Sequence, residues 1–181
     1  AALGKSEGAA LYGLPKDLGP FTLVYNKTLL DQKIEEKGLD SEEIYSTYLN
    51  PSNPMTWEQF RTLLKALVTD ENGDGTPDDD VYGISHYEIE TAVYSNNANF
   101  FTDDASEQRI TDPNFIEAIQ FIADLTLEDH VMVPAALQSE MDGFSRFLNS
   151  GCIFSFMGPW DCAQFWAFDI AFTSNILPIP Y

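Results

Sequence analysis

Basic residues are scarce in this chain: 9 Lys and Arg stand against 29 Asp and Glu, for a formal net charge of −20. A surface of that sign repels phosphate backbones, which excludes nucleic acid and anionic membranes as partners. It attracts cations and favours solubility, without naming a partner. Histidine is scarcer still. His86 and His130 are the two in the chain, and no His-x-x-x-His pair, Gly-x-Ser-x-Gly elbow or phosphate-cradling glycine loop occurs. Without a clustered acid–base set, the expectation is a binding protein and not an enzyme. Long apolar runs are absent, so no segment is of the kind that spans a bilayer. Residues 1–10 lack a basic region and an apolar core, so they do not form a signal peptide. The apolar end, residues 177–181, stops where a strand is expected to begin, and both ends read as cut from something longer. Of the two cysteines, Cys152 opens an expected strand and Cys162 follows the turn that ends it. Five or six extended residues span roughly 17–20 Å, too far for a bridge of about 4.4–6.8 Å between Cα atoms. Both are expected to be packing residues.

With 181 residues, 44% of them hydrophobic, the chain has enough apolar material for one folded α/β domain. Phe21–Tyr25 is a β-rich run ending at Asn26. Thr28–Lys37 carries helix formers, with Gly38 suited to the position after the helix. Ser41–Leu49 predicts a short helix capped by Ser41, after which Pro51 and Pro54 enforce a loop. Thr56 and Gln59 form a capping box. The helix that follows is expected to run to about Thr69, with Phe60, Leu63, Leu64 and Leu67 on one stripe. Val81–Ser85 predicts a strand, and Glu88 to about Phe101 a helix. Asp112 caps Pro113, and Phe115, Ala118, Ile119, Ile122 and Leu125 are expected to form a buried stripe. Cys152–Met157 reads as a strand covered on both faces, and a short helix is expected after Gly158-Pro159-Trp160. Strands alternating with helices indicate an α/β fold.

The strongest local motif is the acidic loop Asp70–Asp80. Asp70, Asn72 and Asp74 place oxygens at the first, third and fifth positions, with Gly75 sixth, a spacing that wraps a hard cation. Thr76 would offer its carbonyl, and Asp78 and Asp79 would complete the shell. The twelfth position, a bidentate Glu in a standard EF-hand, is Val81 here. The bound ion would be a structural calcium; the plainer reading is an exposed acidic turn. Among 13 Phe, 8 Tyr and 3 Trp, most rings must be core. Trp160 differs because it follows Gly-Pro at the end of a strand, where open α/β sheets bind ligands. An indole there can cover the apolar face of a sugar ring. Trp57, in the first turn of a helix, reads as a structural staple, and Trp166 as core. His86 reads as exposed or hydrogen-bonded, and His130 as a residue at a helix end.

Several segments then occur in a familiar order: Tyr12-Gly13-Leu14-Pro15, Tyr25-Asn26-Lys27, Met55 to Phe60, Asp112 to Ala118, Gly158-Pro159-Trp160 and Leu177 to Pro180. Together they resemble the family-1 extracellular solute-binding proteins of ABC importers, the group that includes maltose-binding protein. The resemblance implies two α/β lobes joined by hinge strands, of the type II periplasmic-binding-protein kind, with ligand held between them. By that resemblance residues 1–26 hold the first hinge strand, 27–175 the ligand-binding lobe and 176–181 the second hinge strand. The first lobe and final helices would lie outside this sequence. The ligand-binding residues implied are Trp160, Tyr87 and Glu88, and the acidic loop is similar to a calcium site of some members. The glycine pair usual before the Phe100–Phe101 region is replaced by Asn97-Ala98-Asn99. The implied function is binding an oligosaccharide for a membrane permease, outside the cell or in the periplasm, on a protein anchored to the membrane as a lipoprotein. A peptide or polyamine cargo and a calcium-stabilised cell-surface module are the alternatives. As a single lobe the chain is also expected to self-associate.

Overall fold

The computed structural model describes residues 19–167 and 171–181. The Leu11–Pro15 segment expected as a hinge strand lies outside the described residues, as does the side chain of Trp166. Strand β1 (Thr22–Asn26) runs directly into helix α1 (Lys27–Lys37). Asn26 makes that junction: its side chain accepts from the Leu29 amide at 2.9 Å and donates to Ser150 Oγ at 3.2 Å. Gly38 ends α1 in the left-handed region, at φ 62°, where a side chain would be strained. The next helix, α2 (Ser41–Glu43), is capped by Asp40 and not by Ser41, because the Asp40 carboxylate accepts the Glu42 and Glu43 amides. It continues as a π-helical turn, Ile44–Tyr48.

Helix α3 (Trp57–Leu67) carries the expected capping box, and Phe60, Leu63, Leu64 and Leu67 are all buried. Strand β2 (Tyr82–Ile84) and a shorter helix than expected, α4 (Ile89–Ser95), follow the acidic loop. Helix α5 (Pro113–Leu127) is capped by Asp112. Its buried positions are Phe115, Ala118, Phe121 and Leu125; Ile119, expected inside, faces solvent. The stripe is displaced because Phe121 turns inward to stack on Trp57, with centroids 4.3 Å apart and planes 5° from parallel, so Trp57 acts as the expected staple. Two short helices, α6 (Ala135–Gln138) and α7 (Gly143–Leu148), lead to β3 (Cys152–Met157). Helix α8 (Cys162–Ala167) and β4 (Ser174–Leu177) complete the order.

The sheet order is β2-β3-β1-β4. Only β2 and β3 are parallel; β1 is antiparallel to both β3 and β4. All six residues of β3 are buried, as a strand covered on both faces requires. The core falls into two clusters. Leu23, Ile84, Phe154 and Phe156 join Phe60, Leu64 and Tyr87 in the larger cluster. Val24, Tyr82, Cys152 and Met157 pack with Phe147 in the second. In the segment expected as a second hinge strand, Leu177 pairs with Leu23 at the end of β4. Tyr181 then lies against the start of α3, its amide donating to the Met55 carbonyl and its carbonyl accepting from the Trp57 amide.

Candidate functional site

Because β2 and β3 run parallel, their carboxyl ends share one edge of the sheet, and antiparallel β1 brings its beginning to the same edge. His86 to Glu88 leaves β2 there, and Gly158 to Asp161 leaves β3. The turn after β3 is closed by the Asp161 carboxylate, which accepts from the Gly158 amide at 2.9 Å. Trp160 folds back over this turn. A Cβ at Gly158 would lie 2.2 Å from the indole Cζ2, and one at Gly19 would lie 2.7 Å from Cζ3. The ring therefore rests on two stretches of bare backbone, and glycine at these positions is what lets it do so. Phe21 meets it edge-on, at 5.4 Å and 89°. Trp160 stays 55% exposed, so this turn presents a rigid aromatic surface to solvent, as expected from its place after the strand.

The residues after β2 divide. Tyr87, expected to touch ligand, is instead core: it is 4% exposed, edge-on to Phe156 and Phe121, and its hydroxyl donates to the Pro180 carbonyl at 3.2 Å. Burial pushes its phenol well above the ordinary range. Its neighbours point the other way. Glu88 Oε1 sits 3.1 Å from His86 Nε2, and His86 Nδ1 sits 3.0 Å from Ser85 Oγ. Ser85 Oγ in turn lies 2.9 Å from Ser155 Oγ, with both serines fully buried. Ser155, a polar residue within an otherwise apolar strand, thus anchors a polar chain that surfaces at Glu88.

In the acidic loop most side chains turn onto the loop's own backbone. Asp70 Oδ1 accepts the amides of Gly73 and Asp74, and Oδ2 accepts that of Gly75 and pairs with His130 Nδ1 at 2.7 Å. His130 is therefore the partner of the loop's first acid. Burial works to raise the Asp70 carboxyl, but the Gly75 amide, His130 and the other two amides outweigh it and hold it below the usual carboxylate range. Asn72 accepts the Asp74 amide, Asp74 the Thr76 amide and Asp78 the Glu71 amide. Gly73 and Gly75 take positive φ, 69° and 86°, to make the wrap. Asp79 leaves the expected ligand set: one oxygen pairs with Lys33 and the other accepts the Val81 amide. Among the described residues no group of three or more His, Cys, Asp or Glu side chains stands close enough to hold a metal. The ligand set expected from spacing is therefore not brought together.

An open groove of about 880 Å³ lies elsewhere, between α3 and α5, with walls that include Trp57, Arg61, Ile116 and Phe121. Arg61 is committed there to Asp124 and to the buried Asp129, which also pairs with Lys65. Both cysteines are free; Cys152 is buried, which pushes its thiol up to about 12, whereas Cys162 is exposed and is not the packing residue expected.

No family model matches the chain, and comparison with curated protein sequences finds no match. Solved structures do match. An ABC substrate-binding protein of Listeria monocytogenes in complex with cycloalternan is 21% identical, with a TM-score of 0.66 over 87% of this chain and 36% of that one. An ABC-transporter solute-binding protein of Thermotoga lettingae bound to α-D-tagatose is 23% identical, with a TM-score of 0.62 over 90% of this chain and 39% of that one. Maltose-bound MalE3 of T. maritima is 20% identical, with a TM-score of 0.58 over 90% and 38%. The chain thus spans less than two fifths of the length of these three structures. Its fold is that of part of an ABC-transporter solute-binding protein, of the maltose-binding-protein-like type that the order of its motifs resembles.

Proposed function

We propose that this chain is the carbohydrate-binding lobe of a solute-binding protein that hands its ligand to an ABC permease. The observation that carries the reading is Trp160, held open on Gly158 and Gly19 at the carboxyl edge of the sheet. A flat, rigid indole offers apolar area at little entropic cost, which suits the C–H face of a pyranose ring. Glu88, at the same edge, can take hydroxyls. The structural neighbours bound to cycloalternan, tagatose and maltose support a sugar over a peptide. Nothing is transformed in such a site. The permease, a location outside the cytoplasm and a lipid anchor belong to the same reading. Self-association is supported by Ile116 and Ile119, which stay exposed on α5.

The test is calorimetric titration of the whole protein with maltose, cycloalternan, D-tagatose and D-mannitol, with a polyamine and a dipeptide as controls. One of the sugars is expected to bind, and Trp160→Ala is expected to weaken it by about 1–3 kcal/mol. Binding of a control compound alone, or full affinity in the variant, would overturn the sugar assignment.

The acidic loop is proposed as a calcium site of structural role, made by Asp70, Asn72, Asp74, Thr76 and Asp78 without Asp79. What supports it is the donor spacing and the way the loop wraps around the Asp70 carboxylate. The ion would have to draw Asp74 and Asp78 toward Asp70, since like charges stand apart without it.

A further inference from the structure

We infer that Ser155, Ser85 and His86 form a proton-ordered relay that holds Glu88 as an anchored, ionised acceptor for a ligand hydroxyl; this rests on the sugar-binding reading above. The direction of every hydrogen bond follows from the two ends. At the surface, an ionised carboxylate only accepts, so the His86 Nε2 beside Glu88 must carry the hydrogen. In neutral imidazole Nδ1 is then an acceptor, and the Ser85 hydroxyl 3.0 Å away must donate to it. Starting from the buried end gives the same order. Ser155 has one hydroxyl proton and two acceptors in reach, Ser85 Oγ at 2.9 Å and the Phe156 carbonyl at 3.4 Å. The shorter bond is the better one, so Ser155 donates to Ser85, leaving the Ser85 proton free for His86.

The consequence falls on Glu88. One oxygen is fixed by His86; the other has no hydrogen-bond partner among the described residues. Its side chain is 28% exposed. A carboxylate held by one oxygen and open at the other loses little freedom when it accepts a hydroxyl, and that pre-organisation favours affinity. His86 itself is hemmed in. A Cβ on Gly143, the first residue of α7, would lie 2.7 Å from its Nδ1, and the Phe156 ring stands 6.4 Å away. Glu88 is the carboxylate bonded to the ring; Asp142, the N-cap next to Gly143, has its oxygens taken by the Ser145 amide and hydroxyl. β3 presents Phe156 and no charge. His86 is thus a positioning residue for Glu88. Protonating it forces Nδ1–H to donate to Ser85, turns the Ser85 hydroxyl onto Ser155 and the Ser155 hydroxyl onto the long Phe156 contact, and ties Glu88 into an ion pair.

The test uses the whole protein and combines imidazole nitrogen NMR with titration of maltose, D-tagatose and D-mannitol. His86 is expected as the Nε2–H tautomer near pH 8. Ser85→Ala, checked for folding by its melting curve, is expected to mix the tautomers and weaken the sugar about two- to tenfold, as loss of one hydrogen bond in the chain would. His86→Gln, which can still donate to Glu88, should bind within about twofold of the parent, whereas Glu88→Gln should bind more weakly by about two- to tenfold. An Nδ1–H tautomer, or Ser85→Ala and Glu88→Gln binding as the parent does, would overturn the relay. If the parent binds none of the three sugars, the sugar reading fails, and the tautomer alone decides whether the relay exists.

Discussion

The acidic loop and the carboxyl edge of the sheet are both rich in groups that could bind something, and the structure treats them oppositely. In the loop, Asp70, Asn72, Asp74 and Asp78 spend oxygens on loop amides, and Asp79 spends its own on Lys33 and Val81. At the edge, an indole lies open and a carboxylate is anchored by one oxygen only. The loop is denser in ligand-type residues; the edge has more unspent capacity. Availability therefore follows from hydrogen-bond accounting and not from residue type. The α3–α5 groove makes the same point for shape, since this roomy concavity is walled by a committed ion-pair cluster and apolar side chains.

The sharpest break in this comparison runs between adjacent residues. Tyr87→Ala is expected to cost about 3–5 kcal/mol of stability, the usual loss for a buried aromatic, whereas Glu88→Ala should leave the melting curve nearly unchanged. Equal effects on stability would mean that the edge begins elsewhere. Next comes the platform. Trp160→Ala should melt within about 0.5 kcal/mol of the parent, as surface changes do, while losing sugar affinity. Gly158→Ala should also weaken sugar, by about five- to tenfold, because a Cβ there meets the indole and displaces an aromatic anchor that is still present. Parent-like affinity in Gly158→Ala would show that the ring's placement does not matter.

On the loop side, Asp70→Ala should lower Tm by several degrees, on the order of 2–4 °C for each kcal/mol lost, because three amides and His130 lose their acceptor together. Unchanged melting would make the loop's internal bonds incidental. Acid should act in the same direction. Burial raises the Asp129 carboxyl, but Arg61 and Lys65 outweigh it and hold it low, and Asp70 is likewise depressed. A folded pKa below the unfolded value contributes stability above about pH 4 that is lost as pH falls through the folded value. Tm is therefore expected to fall below about pH 4, and Asp129→Asn, destabilised at neutral pH, should fall less steeply. Calcium should have the smallest effect, since it competes with bonds already made. Millimolar calcium is expected to raise Tm by on the order of 1–3 °C, with the increment lost in Asp74→Ala and kept in Asp79→Asn. Identical curves with calcium and with chelator would leave the loop an acidic turn.

Much of the secondary structure was legible because its signals are local. The Thr56–Gln59 box, the Asp112-Pro113 start and Gly38 after α1 each act within a few residues, and each stands where expected. The failures needed knowledge of distant partners. Ile119 matches the helical period of α5 as well as its buried neighbours do, yet the stack of Trp57 on Phe121 rotates the inward face away from it. Ser41 and Asp40 are both good caps in isolation, and only the chain's path chooses Asp40. His130 reaches Asp70 across 60 residues, a pairing no spacing rule contains.

The candidate site divides along the same line. Residue order alone established the α/β class, the strand that ends at Met157 and the Gly-Pro-Trp turn that carries the indole, because capping, β-propensity and turn chemistry are properties of neighbours in the chain. The family resemblance added Glu88 and Trp160 as the groups expected to meet a ligand. Tertiary structure decided which of these groups is free to act. Parallel pairing of β2 and β3 brought their ends to one edge, and packing against Phe121 and Phe156 held Tyr87 inward. Burial placed Ser155 beneath Ser85, where its hydroxyl had to be satisfied. A buried polar group must find a partner or lose its hydrogen-bond energy, and that partner is chosen by packing between strands 70 residues apart.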